Sequence, residues 1–153
     1  MVLAAPLARI RWAAAGGLGM FVNVAIFVVL TAAGIGIGVL SSGGDIATPV
    51  LGSLVLGLYA AALVGVGLVV GGLFGTRFAA PVVVIFVIVT WLVQILGALL
   101  NLPELVRQLA LTAHYGQPMV GVWDLGGIVA SLVLAIGGVA LGAWGFNRRD
   151  LRV

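Results

Sequence analysis

Uncharged polar side chains are rare in this chain, and their types limit the chemistry it can perform. Asn23, Tyr59, Gln94 and Asn101 stand singly within or beside long apolar runs. Amides and phenols can hydrogen-bond a passing molecule, so these four residues are the candidates for a substrate path. The three amides can instead join neighbouring helices by hydrogen bonds that contribute about 0.6 kcal/mol each in lipid, and Tyr59 can instead be an ordinary packing residue. Both interpretations stay open at this point.

The residues needed for catalysis do not occur in a recognisable arrangement. His114 is the only histidine; it could handle a proton beside nearby acids, but an ordinary loop position explains it more simply. The chain has no Cys, no P-loop pattern and no Ser/His/Asp set with plausible spacing. We therefore predict no catalytic residue, no metal ligand and no cofactor held by this chain.

The composition indicates an integral membrane protein. Hydrophobic residues make up 63% of the 153 positions and charged residues only 7%, whereas soluble domains carry about 25% charged residues. The run Phe78–Leu100 has no charge in 23 residues. At ~1.5 Å per residue, a helix of that length crosses a hydrocarbon core of roughly 30 Å. An isolated strand in lipid would leave its backbone unpaired, so the run predicts a transmembrane helix.

The same pattern recurs along the chain and predicts an all-α fold with a single transmembrane domain. The four predicted spans are residues 13–40, 49–74, 78–100 and 125–146. Residues 102–113 form a shorter amphipathic pattern, predicted as an outer helix at the membrane interface. At the start of the second span, we expect Thr48 to cap the helix and Pro49 to take its first position.

The distribution of arginine predicts the orientation. Six of the seven arginines fall on one side of the membrane that the predicted spans would cross: Arg9, Arg11, Arg77, Arg148, Arg149 and Arg152. Arg107 falls on the other side. Positive charge marks the cytoplasmic side, so both termini, residues 1–12 and 147–153, are predicted to be cytoplasmic in a multi-pass protein of the cell membrane. The net charge of +3 is explained by this asymmetry and does not suggest a nucleic-acid partner.

Three stretches, in this order, resemble a known family. They are VLAAPLARIRWAA (residues 2–14), LGALLNLPELV (residues 96–106) followed by His114 and Pro118, and GAWGFNRRDLRV (residues 142–153). Together they resemble the membrane subunits of ATP-binding-cassette exporters with six helices per module. The closer similarity is to the C-terminal part of actinobacterial permeases described as exporters of polyketide antibiotics. Glu104 departs from the family pattern, which has an aromatic or small polar residue there.

The resemblance implies a function as well as a fold. The four spans would correspond to helices three to six of a module, which favours a fragment or truncated reading frame over a complete chain. The permease itself would not be an enzyme. A separate cytoplasmic ATPase would bind ATP and Mg²⁺, a second permease module would complete the path, and a hydrophobic or amphiphilic drug-, antibiotic- or lipid-like compound would leave the cell.

The resemblance also assigns a segment that couples the permease to its ATPase. Its residues are Leu3, Pro6, Leu7, Arg9 and Arg11. The two arginines could instead serve only as topology anchors, and one segment can do both. Two other functions remain open: a stand-alone four-helix accessory or structural membrane protein, and an enzyme that uses His114 at the outer surface.

Overall fold

Four long helices make up most of the protein. The structure of the protein is a computed structural model that describes residues 6–101, 103, 106 and 114–149. The helices are α1 (Pro6–Ser42), α2 (Ala47–Leu73), α3 (Thr76–Leu99) and α4 (Leu125–Arg149). Each contains a stretch long and apolar enough to cross a membrane. The predicted all-α membrane fold with four spans is confirmed, while the predicted outer helix over residues 102–113 lies almost wholly outside the described residues.

The first helix is longer than the sequence predicted. We expected a separate segment over residues 1–12 and a span from Ala13, but α1 runs without a break from Pro6 to Ser42. Proline suits the first position of a helix, where its missing N–H has no partner to lose. No glycine or second proline follows until Gly16, so nothing interrupts the helix where the break was expected.

Asp45 stabilises the start of α2 through hydrogen bonds to its first residues. Its carboxylate accepts hydrogen bonds from the backbone N–H of Ala47 (3.1 Å), the backbone N–H of Thr48 (3.2 Å) and the Thr48 hydroxyl (2.6 Å). These bonds, with the hydroxyl contributing most, lower the pKa of Asp45. The prediction that Thr48 caps the helix is wrong, because α2 already begins at Ala47 and the Thr48 hydroxyl donates instead of accepting.

The second helix is the centre of the bundle, with α1, α3 and α4 packed around it. Its closest neighbour is α4, because both helices meet through glycines. A Cβ placed on Gly72 would lie 2.5 Å from the carbonyl oxygen of Gly142, and one on Gly142 would lie 2.8 Å from that of Leu68. Real Cβ atoms essentially never approach so closely. Small residues that let backbones touch are typical of helix packing in lipid.

The side chains in the interior of the bundle are correspondingly small. The buried side of α4 carries only Ser and Ala besides glycine: Ser131 and Ala135 are 0% and 7% exposed. The Ser131 hydroxyl donates to the Gly127 carbonyl of its own helix at 2.8 Å. Large apolar side chains such as Phe27 and Ile136 point outward instead. That arrangement suits a protein whose surroundings are hydrocarbon.

The two ends of the bundle differ. At the end that contains Asp45, which we name the Asp45 end, residues 114–124 fold into a compact element that we name the cap. It consists of strand β1 (Gly116–Gln117), one 3₁₀ turn (Pro118–Val120) and strand β2 (Val122–Trp123), paired antiparallel with Gly116 opposite Trp123. The opposite end, with the α2–α3 turn, we name the Arg77 end.

Candidate functional site

Two open grooves lie side by side at the Arg77 end. The first, between α1, α2 and α4, has a volume of about 410 Å³ and is named the α4 groove. The second, between α1, α2 and α3, has a volume of about 460 Å³ and is named the α3 groove. Gly17, Leu68 and Phe146 line both. Each volume falls within the range of about 300–1,000 Å³ that small-molecule sites occupy.

The described lining of both grooves is almost wholly apolar. Thr76 is the single polar side chain in the α3 groove, and Asn147 is the single one in the α4 groove. Part of the space arises from missing side chains: a Cβ on Gly16, which lines the α3 groove, would meet no atom within 4 Å. Such surfaces can hold an apolar molecule or the apolar part of an amphiphile.

At the Asp45 end, the cap is seated on α2 through an aromatic pair and a glycine. The ring of Tyr115 meets the ring of Tyr59 edge-on, with centroids 5.4 Å apart and planes at 80°. A Cβ on Gly52 would lie 2.7 Å from the carbonyl oxygen of Pro118, so only glycine permits this contact. The candidate path residue Tyr59 therefore lies at the junction between the cap and the bundle.

The Tyr115 hydroxyl is buried without a hydrogen-bond partner in the described part of the chain. The residue is 4% exposed. Burial, together with the neighbouring Tyr59, raises the pKa of Tyr115 to about 12. A buried hydroxyl without a partner is rare in folded proteins.

The structure does not gather the other three candidate path residues into one site. Asn23 is exposed on α1, and its side-chain N–H donates to the Gly19 carbonyl of the same helix at 2.8 Å. Gln94 is exposed on α3. Asn101 follows α3 with a φ of 47°, a left-handed conformation that asparagine tolerates and that often ends a helix. None of the three lines a groove.

The described residues contain no group of three or more His, Asp or Glu side chains, His114 included, that could hold a metal. The backbone of His114 instead lies against α4: the His114 carbonyl and Gly127 are so close that no Cβ fits at that glycine. This contact anchors the start of the cap.

Two arginine side chains lie against aromatic rings at the Arg77 end. The Arg77 guanidinium carbon is 4.6 Å from the centre of the Phe78 ring, and that of Arg148 is 4.0 Å from the centre of the Trp144 ring. Cations over ring faces, beside long apolar helices, are typical of the boundary between membrane and water.

Comparison with known proteins identifies a family to which this bundle of four apolar helices belongs. A family model for the C-terminal domain of the multidrug efflux system permease Rv1217c matches residues 1–147. The chain belongs to this family. Searches among curated proteins and among solved structures find no match.

Membership of the efflux permease family agrees with the exporter resemblance of the three sequence stretches and makes the chain a multi-pass membrane protein. The segment assigned to ATPase coupling falls at the Arg77 end. The backbone of Pro6, Leu7, Arg9 and Arg11 forms the first turns of α1, and Leu3 lies outside the described residues. Its role stays a prediction.

Sequence reasoning missed the permease residues that form the grooves and the cap. Gly16 and Gly17 drew no attention because each is ordinary in an apolar helix, and Phe146 entered only as part of the C-terminal stretch that resembles the exporters. The signal that could have found them is the density of glycine at matching depths of α1 and α2, which leaves space between helices. Tyr115 and Pro118 carried no such signal, since their partners Tyr59 and Gly52 are distant in the sequence.

Proposed function

We propose that this permease domain moves hydrophobic or amphiphilic compounds out of the cell, driven by a separate ATPase subunit that binds ATP and Mg²⁺. The observation that carries the proposal is the pair of apolar grooves at the Arg77 end, each large enough for a drug-sized molecule. The described residues of their lining carry no charged side chain, so this lining suits the apolar part of such a compound better than a small hydrophilic ion.

The Arg77 end is the cytoplasmic end in this proposal. Arg77 and Arg148 lie there, as the positive-inside rule requires for a chain of the cell membrane, and Asp45 and Asp124 lie at the opposite end. The grooves then open toward the inner leaflet, where apolar compounds concentrate. A compound taken up there leaves toward the Asp45 end, past Tyr59 and the cap.

The first turns of α1 receive the motion of the ATPase. Arg9 and Arg11 can pair with acidic residues of a cytoplasmic partner, and Pro6 and Leu7 belong to the same turns. Because α1 continues from these turns into the wall of both grooves, motion at its start changes the shape of the sites that hold the compound.

Exchange of one glycine tests the grooves. Gly16→Leu fills part of the α3 groove, whereas Gly19→Leu, three residues along α1, points into open space and lines neither groove. We expect Gly16→Leu to lower ATP-dependent accumulation of a rhodamine dye in inside-out membrane vesicles by about tenfold, the loss that follows when overpacking costs a site ~1.4 kcal/mol. Gly19→Leu should transport like the parent.

Three results would contradict the proposal. Equal transport by both variants would remove the grooves from the path. Accumulation that is unchanged without ATP would remove the ATPase. Absence of transport in the parent, with no ATPase co-purifying, would favour the accessory protein.

The exposed amide of Gln94 supports a second permease module as a partner. A side-chain amide facing hydrocarbon loses its hydrogen bonds to water, and Gln94 has no hydrogen bond to another described residue. A helix from a second module, from the same or a homologous chain, would supply the missing partner and close the path that this chain lines on one side.

Removal of the amide tests this partner. We expect Gln94→Leu to weaken association of the two modules by about threefold, the equivalent of the ~0.6 kcal/mol that such bonds contribute in lipid. The measurement is the fraction of two-module assembly in native mass spectrometry, with Ile95→Leu as the control on the same helix. Full assembly of the Gln94→Leu variant would show that the amide faces something else.

A further inference from the structure

The cap rests on α2 by contact alone. Within the described part of the chain, no hydrogen bond joins residues 115–123 to α2. The contacts are the edge-on ring pair of Tyr59 and Tyr115, the close approach of Pro118 to Gly52, and a methyl group of Thr48 that lies 3.4 Å from where a Cβ of Gly121 would stand. Separation of the two surfaces therefore breaks no hydrogen bond between them.

The attachment of the cap to α4 is different in kind. Asp124 accepts hydrogen bonds from the Gly126 N–H through its side chain (2.8 Å) and from the Ile128 N–H through its carbonyl (3.2 Å). At the other end of the cap, the His114 carbonyl packs against Gly127. The cap is thus tied to the first turn of α4 and only seated on α2.

Two glycines mark the points where the cap can turn. Gly116 and Gly121 have φ angles of 66° and 82°, conformations that side chains rarely adopt. They stand on either side of the Pro118–Val120 turn that touches α2. Glycine crosses between backbone conformations with little steric resistance, so the segment between these residues can change its angle to the rest of the cap.

The seated position also carries a penalty. The Tyr115 hydroxyl is buried there with no hydrogen-bond partner in the described residues. A hydroxyl in this state has a higher free energy than one that reaches water. This free-energy cost opposes the seated cap and disappears when the cap lifts. Ring contact and close packing favour the seated state, and the unpaired hydroxyl favours release.

We propose that the cap is the outer gate of the permease: it closes the Asp45 end by seating on α2, and it lifts from α2 while still attached to α4 when a compound leaves. This inference rests on the proposed function for its purpose, but the motion itself can be measured without transport. The surfaces that separate are those of Gly52, Tyr59 and Thr48 on α2 and of Pro118, Tyr115 and Gly121 on the cap.

The motion is tested by thiol labelling. The natural chain has no Cys, so Pro118→Cys supplies a single reporter at a buried position of the cap. In the full permease, Gly52→Ala pushes a methyl group into the Pro118 carbonyl. It should speed maleimide labelling of the reporter by about tenfold or more, since overpacking disfavours the seated state. Alanine is also the best helix former, so α2 itself should be preserved.

The control for labelling is Gly38→Ala. Gly38 also lies toward the Asp45 end, on α1, and a Cβ there meets no atom within 4 Å. This variant should label at the parent rate. Equal labelling rates in the Gly52→Ala and Gly38→Ala variants would overturn the gate.

A disulfide that holds the cap on α2 provides the second test of the gate. The Thr48 Cγ2 methyl lies 3.4 Å from where a Cβ of Gly121 would stand, so cysteines at these two positions fall within reach of a disulfide, whose Cβ atoms are usually about 3.5–4.5 Å apart. Oxidation of the Thr48→Cys, Gly121→Cys variant should reduce export to background, and reduction should restore it. Each single-cysteine variant serves as the control for the substitution itself.

The two arms separate the gate from the proposed function. Export at the same rate by the oxidised and reduced double variant would overturn the gate while transport stands. Failure of the parent to export any probe would count against the proposed function, and the labelling rates would still decide whether the cap lifts.

Discussion

Replacing Gly138 with leucine is expected to destroy the packing of the bundle, whereas the same change at Gly137 is expected to leave it intact. A Cβ on Gly138 would overlap the backbone of Gly65 in α2, while a Cβ on Gly137 meets no atom within 4 Å. Because the neighbour is backbone, no change of rotamer can relieve the clash. Overpacking of cores costs about 1–3 kcal/mol where side chains can move, so we expect a loss of ~3 kcal/mol or more here.

The comparison is controlled by the sequence itself. The two glycines are adjacent on α4, so helix propensity and depth in the membrane are nearly equal, and only the direction of the side chain differs. Titration of detergent-solubilised permease with a denaturing detergent, followed by near-ultraviolet circular dichroism, reports the loss of tertiary packing. Equal midpoints for the two variants would mean that α2 and α4 do not touch at Gly65.

The second large effect is a stabilisation. Tyr115→Phe removes the buried hydroxyl that lacks a partner and keeps the ring that meets Tyr59. An unpaired buried hydroxyl costs about 1–3 kcal/mol, so the seated cap should gain a stabilisation of that order. Labelling of a Pro118→Cys reporter should slow accordingly. Tyr59→Phe is the control, because it also keeps both rings of the pair but removes a hydroxyl that is not among the buried, unpaired ones of the described residues. This variant should leave the labelling rate unchanged.

The pH dependence of labelling provides an independent test of the Tyr115 hydroxyl. Its pKa rises from an ordinary value of 10.0 to about 12 in the seated cap, because burial disfavours the phenolate. Below pH 10 the hydroxyl is neutral in both the seated and the released cap, and as the pH rises from 10 toward 12 the released cap ionises first, so the seated state loses stability relative to it. Reporter labelling should accelerate over that interval in the parent and stay level in Tyr115→Phe. Faster labelling of Tyr115→Phe at neutral pH would show that the hydroxyl has a partner.

The spans were predictable because length and apolar character decide them in a solvent of hydrocarbon. The third span was expected over residues 78–100, and α3 occupies Thr76–Leu99. The start of α1 was not predictable in the same way. Arg9 and Arg11 suggested a boundary, but charge alters where a helix meets water without altering whether the backbone stays helical.

The candidate site was less accessible to sequence reasoning than the fold. Polar residues attracted the prediction of a path, yet Asn23 bonds to its own helix and Asn101 ends α3. The grooves depend instead on where glycines leave space between helices, and this is a property of packing in three dimensions. The pairing of Tyr59 with Tyr115 depends likewise on how the cap returns to α2, which periodicity along one helix cannot reveal.

The length of α1 gives the permease a rigid lever. At ~1.5 Å per residue, its 37 residues extend over about 56 Å, well beyond a hydrocarbon core of roughly 30 Å. It bears on α2 where Gly17 meets Leu68 and where Val28 meets Gly57. Near the first of these fulcrums it separates the α3 groove from the α4 groove. A sideways swing of such a rod would widen one groove only by narrowing the other.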